Sequence, residues 1–306
     1  MHCVARYPSL SQNAKKDLNL LYSSLDQFLE TASSAFNKGP IAIVFAEDLV
    51  EVESTLQHNQ MLGFKCVILF APDALELPGA LEDEIHRIPY DVSAENALPH
   101  AVNQVAAAAD GLWIFYCYNA EYLFFPFCET RSIGEMIAFN VEERRDTVLT
   151  YVVDLYAGDL WKQHDAVSLE DAHLDKSGYY ALARSDGAGS VRERQLDFFG
   201  GLRWRFEEHI PKIRRKIDRV SLFKATKGVN LLPNHTFDDQ EYNTYACPWH
   251  HNITAALCSF RTAKALKTNP GSQFDIETFR WHNSTEFTWN SQQLLDLGLM
   301  EPGQWF

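Results

Sequence analysis

The chain has 306 residues, with 27 Lys or Arg, 41 Asp or Glu and 11 His, a formal net charge of −14 with His neutral. Its 46% hydrophobic and 22% charged content excludes wholesale disorder, and its length allows a sizeable core without disulfide or metal staples. An acidic average surface repels phosphate backbones and excludes a general nucleic-acid binder.

In chain order, residues 12–36 carry Leu18, Leu21, Leu25 and Leu29 at helical spacing, and Gly39-Pro40 closes that segment. IAIVFA (41–46) is a continuous apolar run, the mark of a strand buried on both faces. Residues 49–62 return to helical spacing, with Gly63 as the terminating residue, and CVILF (66–70) is a second buried strand. This strand–helix–strand order predicts a parallel pair. A helix over 94–109, a strand at WIFYCY (113–118), a short helix over 130–142 and a strand at TVLTYVVDLY (147–156) continue the alternation. Residues 157–200 are polar and Gly-punctuated and read as a long excursion. A basic cluster fills 203–227, and 254–268 and 291–299 read as helices. The sum is an α/β fold, a mostly parallel sheet flanked by helices.

The six cysteines (3, 66, 117, 128, 247 and 258) follow no disulfide framework, so reduced thiols are expected. The start, MHCVARYPSLSQNAKK, has no apolar core of a signal peptide, and no run approaches a membrane span, which predicts a cytoplasmic protein. The motifs GxxxxGK[ST], GxGxxG after a strand, HExxH, CxxC pairs and GxSxG are all missing from the sequence.

What remains is a series of weaker signals. Glu47 follows the first strand, HNQMLGF (58–64) closes the next helix, and FAPDALE (70–76) follows the second strand. YNAEYL (118–123) follows the third, and FFGGLRWRF (198–206) and NHTF (234–237) flank the basic segment. In order and spacing, from about residue 41 to 265, this series resembles the family 2 glycosyltransferases of the GT-A fold, a divergent bacterial branch similar to family 92-like proteins. The resemblance implies a Rossmann-like GT-A domain over 41–306 behind a helical extension (1–40). Its nucleotide-binding half would be about 41–156 and its acceptor-side half about 157–306. It also implies a nucleotide-sugar donor, a glycan or lipid-linked hydroxyl acceptor, a role in polysaccharide biosynthesis, and compatibility with peripheral attachment at the inner face of the membrane.

The departures are as informative. The family's Asp-x-Asp, which binds a divalent cation, falls here on Tyr118 and Ala120, with only Glu121 retained. Neither residue offers the hard carboxylate oxygen that Mg²⁺ or Mn²⁺ takes. The first acid of the turn at Ala71-Pro72-Asp73 is lost, and a family His near Leu257–Arg261 is replaced. The expectation is therefore no cofactor and no metal site, with a catalytically inactive GT-A binding or scaffold protein as the alternative to an active transferase.

The candidate residues follow. Glu47 and Asp73 suit the nucleoside, because crevices outside the carboxyl ends of parallel strands bind ligands; a solvated helix-end acid and a turn cap are their plain alternatives. Glu121 and Asp197 are the catalytic candidates, since an inverting transfer needs a carboxylate to take the acceptor proton. Arg203, Arg205 and Lys216 suit the leaving diphosphate. His235 matches a family His, with a hydrogen-bonded core His as its alternative. His58 reads as structural. Cys247, His250, His251 and Cys258 make poor zinc spacing, and Trp249 and Trp281 are candidates for stacking on a sugar ring.

Overall fold

The computed structural model describes residues 20–31, 34–37, 39–246 and 251–305. The helix expected over 12–36 falls partly outside that range. Within it, α1 spans Leu25–Thr31.

The central sheet begins as the alternation predicts. Strand β1 (Ile41–Phe45), helix α2 (Val52–Leu62), β2 (Cys66–Ala71), the short α3 (Gly79–Glu82), β3 (His86–Pro89), α4 (Ala97–Ala108) and β4 (Trp113–Tyr118) follow in order. Then come β5 (Glu121–Phe124), α5 (Ile133–Glu142) and β6 (Thr147–Asp154). Helix α5 starts at a reciprocal capping box between Ser132 and Glu135, and α2 stops at Gly63, whose φ of 97° suits glycine.

The half of the chain after residue 156 is more strand-rich than its sequence suggests. The excursion over 157–200 contains β7 (Tyr156–Ala157), β8 (Ala172–Asp175) and the hairpin β9 (Tyr180–Ser185) and β10 (Val191–Phe199). After the single turn α6 (Gly201–Arg205), the basic cluster runs through an exposed helical turn at Lys212–Arg214 and then enters β11 (Asp218–Lys224), a central strand. The helix expected from residue 254 is instead β12 (Ala255–Ser259) followed by α7 (Arg261–Thr268). Strand β13 (Ser284–Glu286) joins β8 and β7 in a three-stranded sheet, and α8 (Ser291–Asp296) is shorter than the 291–299 expected.

The eight-stranded sheet runs β3-β2-β1-β4-β11-β6-β12-β5. Four neighbouring pairs are parallel (β3/β2, β2/β1, β1/β4 and β6/β12), and β11 and β5 run against their neighbours. Helices cover both faces. Along β1, Ile41, Ile43 and Phe45 pack with Phe28 of α1 and Leu98, Val102 and Val105 of α4. Ala42, Val44 and Ala46 pack with Leu56 of α2 and Met136 of α5. Both faces of the strand are buried, which is why its sequence is continuously apolar rather than alternating.

No helix among the described residues is long and apolar enough to cross a membrane. Cys66, Cys117, Cys128 and Cys258 are free thiols, and Cys3 and Cys247 lie outside the described residues.

The topology brings the carboxyl ends of β1, β2, β3, β4, β6 and β12 and the amino ends of β5 and β11 to one edge. The order reverses between β1 and β4, which makes their shared end a switch point of the kind that binds ligands in open α/β sheets.

Candidate functional site

At the switch point the chain ends of β1 and β4 are tied together by Asn119. Its Oδ1 accepts from the Glu47 N–H (2.9 Å), and its Nδ2 donates to Asp48 Oδ1 (2.7 Å) and to the Val50 carbonyl (2.8 Å). Ala120 follows at φ 59°, its N–H donating to Thr55 Oγ1 (2.9 Å). This tight turn redirects the chain so that β5 begins at Glu121.

Three Arg–carboxylate pairs line the edge. Glu121 is fully buried and takes both Arg219 nitrogens, at 2.7 and 3.3 Å. Ser259 Oγ (3.0 Å) and the Tyr118 N–H (2.9 Å) complete its shell. Four donors match the roughly four acceptor positions of a carboxylate. Burial alone would raise the Glu121 carboxyl, but the Arg219 charge and hydrogen bonds outweigh it and hold the group below the ordinary range.

Asp154, on the strand beside Ser259, is the second acid. Its Oδ2 accepts from the Arg203 N–H (3.3 Å), and Arg203 Nε lies 3.5 Å from Oδ1, which has no hydrogen bond. Burial raises this carboxyl above its ordinary value, only partly offset by Arg203. Gly201, at φ 60°, lets the chain pass this carboxylate, since a Cβ there would lie 2.9 Å from Oδ2.

Glu47 is the third acid. It pairs side-on with Arg261, accepting from Nε and Nη2, both at 2.6 Å, and the guanidinium stacks 3.7 Å from the centroid of the Tyr118 ring. Beside it, Lys264 Nζ lies 2.7 Å from Asp48 Oδ2.

Outside the carboxyl ends of β1, β2 and β3 lies an open groove of about 480 Å³, lined by Glu47, Pro72-Asp73 and Pro89–Ser93. Tyr90 is fixed there by its N–H to the Ala71 carbonyl (2.9 Å), its hydroxyl to the Ala97 carbonyl (2.9 Å) and an edge contact with Phe70. Asp91 accepts from both the N–H and the hydroxyl of Ser93, which hold its carboxyl below the ordinary value.

The residues nominated from sequence divide accordingly. Glu47 and Asp73 meet in the groove, and Glu121 lies one strand end away, clamped by Arg219. Asp197 lies in the hairpin, paired with Lys216 (2.7 Å) and Arg184 (2.7 Å). Burial would raise its carboxyl, but these two cations lower it. Arg203 is spent on Asp154, Thr262 Oγ1 (3.2 Å) and the Lys216 carbonyl (2.7 Å). Arg205 pairs with Asp175 and bonds the Phe279 carbonyl, stacked on Trp281. Thus Arg203, Arg205 and Lys216 do not converge with Glu47 and Asp73. His235 stacks on Tyr116, with Nδ1 3.1 Å from its hydroxyl, and burial pushes its pKa well down. His58 Nε2 donates to the Leu123 carbonyl (2.8 Å).

The zinc candidates separate too: His251 is exposed, Cys258 is fully buried, and Cys247, Trp249 and His250 lie outside the described residues. The residues where the sequence resemblance would place a metal do not fit a divalent cation. Tyr118 lies under Arg261, Ala120 has no donor, and every Glu121 oxygen is already engaged. Among the described residues no group of three or more His, Cys, Asp or Glu could hold a metal ion.

Sequence reading did not nominate Asp154, the last residue of β6, or Arg261, which follows β12, a segment whose composition reads as helix. Compared with known proteins, the chain matches no family model and no curated relative.

Proposed function

We propose that this chain is a glycosyltransferase-like protein of the GT-A type, which binds a nucleotide-sugar and passes the sugar to a hydroxyl of a glycan or lipid-linked acceptor. One observation carries the reading: Glu47 and Asp73 line one open groove outside the carboxyl ends of β1 and β2, beside the switch point. Carboxylates there accept from ribose hydroxyls, and the fixed Tyr90 ring offers an apolar wall to a base. The mostly parallel sheet and the motif order of YNAEYL and FFGGLRWRF support the GT-A assignment.

Transfer also needs a proton acceptor. Glu121 serves only if it first releases Arg219. Asp154 is better prepared, because its ion pair with Arg203 is longer (3.5 Å) than that of Glu121 with Arg219 (2.7 Å) and burial raises its pKa, the direction that favours holding a proton. No metal enters the proposal, because the residues where the sequence resemblance would place a metal do not fit one.

The test is a thermal-shift panel of nucleotides and nucleotide-sugars with EDTA or Mn²⁺, since a ligand that binds only the folded state raises Tm. The expected result is a shift by one class of nucleoside diphosphate, unchanged by EDTA and reduced in Asp73→Asn. A shift only with Mn²⁺ overturns metal independence, and no shift across the panel overturns the nucleotide reading. The sheathing of Glu121 favours a second reading, a non-catalytic GT-A-type binding protein. In that case a nucleotide-sugar binds, and the sugar is never released.

A further inference from the structure

The first turn of α7 carries two cations, Arg261 and Lys264, at positions i and i+3. Cations there oppose the helix macrodipole, whose amino end attracts anions. They meet two consecutive acids after β1: Glu47 on Arg261 and Asp48 on Lys264. Lys264 is 6% exposed, and its Nζ lies 2.7 Å from Asp48 Oδ2, so a buried ammonium is held by a single carboxylate oxygen. An ammonium has three donors, so this one can take further acceptor oxygens beside Asp48. Arg261, in contrast, reaches the surface, with its side chain 29% exposed and that of Glu47 30% exposed. Glu47 also lines the nucleoside groove.

We propose that Arg261 and Lys264 form an anion site for the pyrophosphate of a ligand, and that Glu47 and Asp48 occupy it as an internal anion until the ligand displaces them. Arg261 presents a planar fork matched to phosphate oxygens, and Lys264 adds a point charge behind it. Tyr118 holds the guanidinium flat from below. Once displaced, Glu47 keeps its place at the groove wall, where its carboxylate is free to take the ribose hydroxyls. One residue thus exchanges a protein cation for the sugar as the phosphates arrive. The inference deepens the nucleotide reading, and it replaces Arg203, Arg205 and Lys216 as the diphosphate ligands, because the carboxylate partner of Arg261 lines the groove and theirs do not.

The probe is inorganic pyrophosphate, titrated calorimetrically without added metal, beside a panel of unphosphorylated nucleosides that reads the groove alone. Removing a competing carboxylate from a half-exposed pair is expected to tighten pyrophosphate binding in Glu47→Gln by about fivefold. Arg261→Met is expected to weaken it at least about tenfold. Pyrophosphate binding that is absent, or unmoved by Glu47→Gln, overturns the anion site whatever the nucleosides do. Because Glu47→Gln keeps the size of the side chain, the test does not depend on Arg261→Met folding. Pyrophosphate binding with these responses, but no nucleoside binding, upholds the anion site and counts against the nucleotide reading instead.

Discussion

Two Arg–carboxylate pairs stand at neighbouring strand ends of the same sheet edge, and they differ in what surrounds them. In Glu121–Arg219 the side chains are 0% and 3% exposed, and every carboxylate oxygen is committed. In Glu47–Arg261 they are 30% and 29% exposed, at the mouth of an open groove. The first pair fixes the turn from β4 into β5, because losing either partner strands a buried charge. The second can exchange partners, because water and ligand oxygens can replace the carboxylate at little cost. The chemistry of the pair is the same in both; burial decides whether it acts as a staple or as a latch.

The contrast breaks most visibly if the buried pair is cut. Arg219→Met leaves Glu121 uncompensated and should cost about 3–5 kcal/mol in urea unfolding, whereas Arg219→Met with Glu121→Met should recover most of the loss. Equal losses in the single and double variants would mean that packing, not charge, holds this turn. The pair should also withstand acid. The folded Glu121 pKa is depressed, so its stabilisation is complete above the ordinary carboxylate range and is lost only as the pH falls through the folded value.

A smaller effect is expected beside Asp154. Gly201→Ala requires a left-handed backbone and pushes on the carboxylate, which should cost about 2–3 kcal/mol of unfolding free energy. A variant as stable as the parent would show that this wall of the site is pliable.

His58 probes how firmly β5 is pinned. Burial lowers its pKa to about 4 from 6.5, so it folds neutral while the unfolded chain binds a proton between these values. Stability is therefore complete above about pH 6.5 and falls as the pH drops towards 4, on the order of 3 kcal/mol in all. His58→Gln keeps a donor for the Leu123 carbonyl and should flatten that slope; an unchanged slope would assign it to other groups. The smallest effect belongs to the latch. Glu47→Gln should change stability by less than about 1 kcal/mol in the same unfolding assay. A loss as large as that of Arg219→Met would make both pairs staples.

Much of this contrast was legible in the sequence on one side only. β1, β2, β4 and β6 were readable because strands buried on both faces are continuously apolar. Glu47 and Asp73 were readable because each directly follows such a strand. β12 was not, because Ala-Ala-Leu-Cys-Ser has small residues and a helix-favouring composition, and only its place between β6 and β5 makes it a strand. β11 was hidden among basic residues, although its interior, Val220 to Phe223, is apolar apart from Ser221 and buried. The partners of Arg203, Arg205 and Lys216 were beyond reach for a different reason. Asp154 lies 49 residues from Arg203 and Asp175 lies 30 from Arg205, and Asp197 reaches Lys216 only because the hairpin folds back on β11. A basic run therefore looks like a free phosphate cradle until the fold supplies its acids.

The most direct test of the exchangeable groove is hydrogen–deuterium exchange with and without a nucleoside diphosphate. The expected result is added protection at 46–50, 72–74, 90–93 and 261–264, with β5 and β11 already protected and unchanged. Protection confined to the hairpin at 180–199 and the basic segment at 212–216 would contradict it and would place the ligand on the other side of the edge.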